Sequence, residues 1–218
     1  MPVEIKFCRM TRAADADYAT SLGAAYVGVI FADSPRRLDP AASTAVLAGV
    51  RGRASTVGVF GHAMVETIAT AASDLGLDIV QLHGDPSPDI VDRIRSRFGG
   101  SVWAAVRIEG GVLPDNAAGL LAAADAVVLD AKVAGQLGGT GHAFDWDAIA
   151  RTLERRRDRA RVVLAGGLRP ENVARAVLTI APDVVDVSSG VESAPGIKDH
   201  ARMRAFGDAV RRPGDGRE

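Results

Sequence analysis

The sequence predicts an α/β protein of the (β/α)8 TIM-barrel class, built as a single domain. Eight short β-branched runs recur along the chain, and each is followed by an Ala-rich segment of helical period. No Pro/Ser linker interrupts this alternation, and 218 residues suit one large core. Strict alternation implies a parallel sheet. Eight regular units favour closure into a barrel over an open doubly wound sheet.

The first run, 3–8, leads to a helical stretch over 13–22 that Gly23 closes. Runs two and three, 25–31 and 56–60, lead to helical stretches 40–50 and 65–75, the latter followed by Gly76. Run four, 78–82, precedes 88–98, where Pro88 sits at a helix start. Run five, 102–107, precedes 116–123. Run six, 126–130, precedes 147–157, with Asp145 or Asp147 as its cap. Run seven, 162–165, precedes 170–180, with Pro170 near its start, and run eight, 184–188, precedes 200–210. The catalytic barrel is therefore expected over 1–211, and the polar tail 212–218 has the composition of a disordered end.

Composition narrows the function. Hydrophobic residues are 47% and charged residues 24%, ordinary for a globular chain. A net charge of −1 provides no basic field for nucleic acid and no polybasic membrane patch. No window reaches the roughly 18 apolar residues of a membrane span, and Met1-Pro2-Val3-Glu4-Ile5-Lys6 lacks the apolar run of a secretion signal. Cys8 stands alone, which excludes an intrachain disulfide or a multi-thiolate zinc site and points to a reducing, cytoplasmic setting.

In such barrels chemistry belongs to the loops after the strands. Cys8 closes run one, and alternation turns Lys6 and Cys8 inward while Ile5 and Phe7 face the helices. A thiol beside a positive charge can have a depressed pKa and act as base or nucleophile; a lone Cys can equally be a small buried hydrophobe. Asp130 closes run six, either as an acid of raised pKa or as an acceptor for loop amides. Two Gly-rich loops, Ala165-Gly166-Gly167-Leu168 and Ser188-Ser189-Gly190-Val191, follow runs seven and eight, where barrels of this type hold phosphate. The glycine-rich stretch 138–146 reads as a lid or as a long connection. Arg36 can grip a carboxylate or serve as surface charge. His62 and His83 follow runs three and four and, with Asp130, offer an incomplete metal set. The run 154–159 reads as a solvated charged face. Asp186 shares the inward face with Ser188, and closure of strand eight onto strand one brings it within reach of Lys6.

Together these pieces resemble phosphoribosylanthranilate isomerase of tryptophan biosynthesis, from Lys6 to about Lys198. The carriers are Lys6-Phe7-Cys8, Ser34-Pro35-Arg36, Val57-Gly58-Val59-Phe60, Gln81-Leu82-His83-Gly84-Asp85, Leu129-Asp130, the stretches 138–146, 164–172 and 186–192, and Pro195-Gly196-Ile197-Lys198-Asp199. The resemblance implies an Amadori rearrangement of N-(5-phosphoribosyl)anthranilate to 1-(2-carboxyphenylamino)-1-deoxyribulose 5-phosphate, third step from chorismate to tryptophan, without metal or organic cofactor. It implies Asp130 as general acid, Cys8 as general base and Arg36 at the anthranilate carboxylate. His83 and Asp186 become substrate contacts, and Gly166, Gly167, Ser189 and Gly190 the phosphate site. It leaves monomer and homodimer both open. Arg9 stands where the family usually has Gly, and Gly61-His62 where it often has Asn. A metal-dependent sugar-phosphate epimerase and a non-catalytic barrel that binds a phosphorylated ligand are the alternatives.

Overall fold

The computed structural model describes residues 2–131, 145–153 and 160–214. Eight parallel strands close into a barrel: β1 (Glu4–Phe7), β2 (Tyr26–Ile30), β3 (Ser55–Phe60), β4 (Ile79–Leu82), β5 (Ser101–Ile108), β6 (Ala126–Ala131), β7 (Arg161–Leu164) and β8 (Val184–Val187). The helices between them are α1 (Ala13–Ser21), α2 (Pro40–Ala48), α3 (Val65–Asp74), α4 (Pro88–Arg95), α5 (Ala117–Ala123), α6 (Trp146–Leu153), α7 (Val173–Ile180) and α8 (His200–Arg211). None of the described helices is long and apolar enough to cross a membrane. The sequence places each of these sixteen strands and helices; the differences lie at the ends. Pro88 does open α4, behind the Ser87 cap, but Pro170 lies in a turn before α7. Asp145 accepts from the Ala148 N–H at 3.0 Å and so caps α6, whose expected continuation past Leu153 lies outside the described residues, as does the charged run 154–159. The expected lid is described only at Asp145 and Trp146, and the expected tail only to Gly214.

Alternation sorts the strand residues into two layers. Ile5, Phe7, Val27, Val29, Val80, Leu82, Leu129 and Leu164 face out and pack under the helices. Tyr26, Val57, Ile79, Trp103, Val128, Val163 and Val184 fill the barrel. At the strand starts, Asp78, Asp125 and Asp183 accept the backbone N–H groups of Thr56, Val102 and Val162 at 2.7 to 2.8 Å. Three carboxylates thus satisfy strand ends that the neighbouring ladder cannot reach. Glu4, Tyr26 and Arg161 form a further cluster on that rim.

Beyond β8 the chain makes a 3₁₀ turn (Ser189–Val191) and a small hairpin, β9 (Glu192–Ala194) and β10 (Ile197–Lys198), around Pro195-Gly196. The sequence reading does not foresee this hairpin. Its strands are too short for a periodic signal.

Candidate active site

Closure of the barrel pairs Lys6 of β1 with Asp186 of β8 in register. Lys6 is completely buried, and its ammonium donates to Asp186 Oδ2 at 2.7 Å, Gln81 Oε1 at 2.8 Å and Cys8 Sγ at 3.2 Å. Asp186 is the partner expected from strand order. Gln81 stands in the motif Gln81-Leu82-His83-Gly84-Asp85 but receives no role from the sequence, although a polar residue inside the apolar run of β4 is its signal. Gly28 of β2 makes the room: a Cβ there would sit 2.8 Å from Cys8 Sγ and 3.4 Å from Lys6 Cε.

Burial alone would favour a neutral Lys6, but the charge and hydrogen bond of Asp186, with a contribution from Cys8, leave its pKa raised. For Cys8 the balance goes the other way. Burial pushes the thiol up and the Asp186 charge pushes it further, while Lys6 and Arg9 pull it down without prevailing. The net shift is opposite to that expected from a neighbouring ammonium alone, because Asp186 opposes that charge and the thiol is dry.

Across the barrel, Asp130 closes β6. Its Oδ1 accepts the N–H of Ala131 at 2.9 Å, and its Oδ2 lies 3.3 Å from His83 Nε2 without hydrogen-bond alignment. Gly166, at φ +82°, presses against this carboxylate; a Cβ there would lie 2.8 Å from Oδ1. Asp130 therefore holds a backbone amide through one oxygen, as its structural reading proposes, and turns the other toward His83.

Cys8, Gln81, His83, Asp130 and Asp186 line one cavity, together with Gly166, Gly167, Ser188, Ser189 and Gly190. Among the described residues, the buried side-chain polar atoms without a partner are both ring nitrogens of His83, Asp186 Oδ1, Ser188 Oγ and Trp146 Nε1. All but the last belong to this cavity. Polar groups left unpaired in a protein interior are costly, and their convergence on one space marks where a polar ligand satisfies them.

The two loops after β7 and β8 meet here. No hydrogen bond among the described residues takes up the backbone N–H groups of Gly166, Gly167, Ser189 or Gly190. Any side chain on Gly190 would collide with the carbonyl of Leu168, so glycine is what lets the loops approach. Arg9 also lines the cavity, with its backbone at φ +59°. That conformation favours glycine, the residue that the resemblance leads one to expect there.

The remaining candidates separate from this cluster. His62 is exposed and lines a different groove with Phe31 and Phe60, so it does not join His83 and Asp130 as a metal set. Among the described residues no group of three or more His, Cys, Asp or Glu side chains could hold a metal. Arg36 has a carboxylate already: its Nε and Nη2 bind Glu192, the shortest contact 2.7 Å. Glu192 and its second cation, Lys198, are site-adjacent groups that the sequence reading leaves without a role.

Residues 5–209 match the family model of N-(5'-phosphoribosyl)anthranilate isomerase. The curated N-(5'-phosphoribosyl)anthranilate isomerase of Nitrosococcus oceani is 38% identical over 207 residues, 94% of this chain and 96% of the relative. Among solved structures, monomers generated from the dimeric phosphoribosylanthranilate isomerase of Thermotoga maritima superpose with a TM-score of 0.80 at 33% identity, covering 96% of this chain and 98% of theirs. A phosphoribosylanthranilate isomerase in complex with reduced 1-(o-carboxyphenylamino)-1-deoxyribulose 5-phosphate has a TM-score of 0.80 at 32% identity, over 95% of this chain and 98% of that one. Sequence likeness along almost the whole length, joined to a closed barrel with its unpaired polar groups gathered at the strand ends, leads to one conclusion: the chain belongs to the phosphoribosylanthranilate isomerase family.

Proposed function

We propose that the chain isomerises N-(5-phosphoribosyl)anthranilate to 1-(2-carboxyphenylamino)-1-deoxyribulose 5-phosphate, in tryptophan biosynthesis, by general acid–base catalysis. The observation that carries the mechanism is the opposition of Cys8, on β1, and Asp130, on β6, across one cavity. Asp130 in its acid form protonates the ribose ring oxygen, the C1–O bond breaks, and the anilino nitrogen lone pair forms the C1=N Schiff base. The Cys8 thiolate then takes the proton from C2. The C2–H electrons form C1=C2, the nitrogen recovers its lone pair, and the enolamine tautomerises to the 2-ketone with a proton delivered to C1. One group gives a proton and the other takes one, so no external redox partner enters.

The other site residues take supporting roles in this reading. The unpaired His83 nitrogens and Asp186 Oδ1 meet hydroxyl or amino groups of the substrate. The open N–H groups of Gly166, Gly167, Ser189 and Gly190 take the phosphate, and Arg36 takes the anthranilate carboxylate. The thiol pKa, raised at rest, means that the reactive thiolate is a minority form near neutral pH. The catalytic unit is the barrel over 1–211, acting in the cytoplasm as a monomer or homodimer, a choice that light scattering on the purified protein decides.

Addition of the purified protein to freshly made phosphoribosylanthranilate tests this function. Anthranilate-type fluorescence should decay with turnover, and chelator should leave the rate unchanged. Binding without turnover would restore the non-catalytic alternative, and loss of activity with chelator the metal-dependent one.

A further inference from the structure

The hairpin β9–β10 sets a buried carboxylate between two cations. Glu192 accepts Arg36 Nε at 3.0 Å, Arg36 Nη2 at 2.7 Å and Lys198 Nζ at 3.1 Å. Lys198 Nζ also donates to the Ser188 carbonyl at 3.0 Å, immediately before the turn that carries Ser189 and Gly190. The hairpin is itself pinned on both strands. Arg202 Nη1 holds the Glu192 carbonyl at 2.8 Å, and Asp15 Oδ2, whose partner oxygen faces His200, accepts the Lys198 N–H at 3.1 Å.

A guanidinium has five N–H groups in a fixed plane. Glu192 engages the Nε edge of Arg36. The two N–H groups of Nη1 and the second of Nη2 donate to no described group, and they form the outer fork that fits another carboxylate. Two cations share one carboxylate in a largely buried place, and burial lowers the pKa of Lys198 against the pull of Glu192, so a second anion helps to hold both cations charged.

We propose that Glu192 and Lys198 are positioning residues: Glu192 fixes Arg36 with its outer fork set for the carboxylate of the substrate, and Lys198 ties that clamp to the Ser188 carbonyl, so that the carboxylate and phosphate ends are bound cooperatively. The proposal rests on the reading of Arg36 as the carboxylate site. The competing physical picture is that Glu192 occupies Arg36 as a rival which the substrate must displace.

Steady-state kinetics of Arg36→Met, Glu192→Gln and the double variant separate these, with ribose 5-phosphate as a competitive probe that carries no carboxylate. Glu192→Gln should raise KM by about tenfold with little change in kcat, within the usual range of coupling between sites. The double variant should lose less than the two single variants combined, because Glu192 acts on the carboxylate end only through Arg36, and what it adds to Arg36→Met should match its effect on the phosphate end. Glu192→Gln should also weaken inhibition by ribose 5-phosphate, whereas Arg36→Met should leave it unchanged. Arg36→Lys keeps the charge without the fork and should raise KM as far as Arg36→Met. It carries the test if Glu192→Gln fails to fold.

A parent-like KM in Arg36→Met would overturn the carboxylate reading itself. With that KM raised, a lowered or unchanged KM in Glu192→Gln would overturn the clamp alone, the lowered value marking Glu192 as a rival. Equal effects of Glu192→Gln in both backgrounds, or a parent-like KM in Arg36→Lys, would also overturn it. Unchanged inhibition by ribose 5-phosphate in Glu192→Gln would overturn the link to the phosphate turn.

Discussion

Replacing Lys6 with Met removes the ammonium 3.2 Å from Cys8 Sγ and leaves its other close partner, Asp186, in place. At an effective dielectric of about 20, two unit charges at that distance interact by about 5 kcal/mol, an upper bound near 4 pKa units. Neighbouring charges in proteins typically move a pKa by about 1–3 units, and a rise of that size is expected for Cys8. Since the thiolate is already the minority form, iodoacetamide should alkylate the variant about 10- to 1000-fold more slowly at neutral pH. The basic limb of the kcat/KM profile should move up with it. Breaking a buried pair costs about 3–5 kcal/mol, a large part of a typical folding stability, so rates are compared on protein shown folded by circular dichroism. The double variant Lys6→Met/Asp186→Asn removes the stranded carboxylate and should recover stability, with a thiol pKa below that of the single variant because the opposing Asp186 charge is gone. A single variant that alkylates with the parent's profile would refute the electrostatic argument and leave Lys6 only a packing role.

Further expectations follow from single residues. Arg9→Gly releases a left-handed backbone conformation that costs about 1 kcal/mol, so its Tm should be at least the parent's; a fall of several degrees would mean that the Arg9 contacts outweigh the strain. The same variant loses a charge that favours the thiolate, so alkylation of Cys8 should shift to higher pH. Gly167→Asp puts a carboxylate, on a backbone at φ +67°, where the phosphate is proposed to lie; KM should rise about tenfold or more, and an unchanged KM would move the phosphate elsewhere. Arg36 and Lys198 hold the Glu192 carboxyl below its ordinary pKa against the opposing effect of burial. Its stabilising contribution is thus present above the ordinary carboxylate pKa and lost as pH falls through the lowered one. Urea midpoints measured across the acid range should show a flatter decline in Glu192→Gln than in the parent.

The barrel is legible because each β-branched run ends in a turn and each helix has a period of its own; Lys6 opposite Asp186 then follows from strand order alone. Two-residue alternation correctly separates Cys8 and Lys6 from Phe7, which packs on Phe206 of α8. Tertiary partners of long side chains are not legible in this way. Arg36 meets Glu192 from 156 positions away, through a hairpin of three- and two-residue strands, and nothing local in either segment encodes the contact. The sign of the Cys8 shift is hidden for a similar reason. The sequence reveals the nearby lysine, but only the fold reveals how dry the thiol is and that Asp186 opposes the lysine's effect. Gly190 shows a different limit: its place in a glycine-rich loop is plain, whereas the Leu168 carbonyl over its Cα is a product of two loops closing together.

Cys8 and Asp130, facing one cavity from different strands, are proposed to move the two protons of the rearrangement. Single-turnover fluorescence with Cys8→Ala and Asp130→Asn, each in excess over phosphoribosylanthranilate, measures the chemical step apart from product release. Each variant should bind substrate and slow that step by about 10²–10⁴-fold, the range for a lost general acid or base. The Asp130 variant should stall before ring opening, and the Cys8 variant after it. Near-parental rates in either variant would remove that residue from the mechanism.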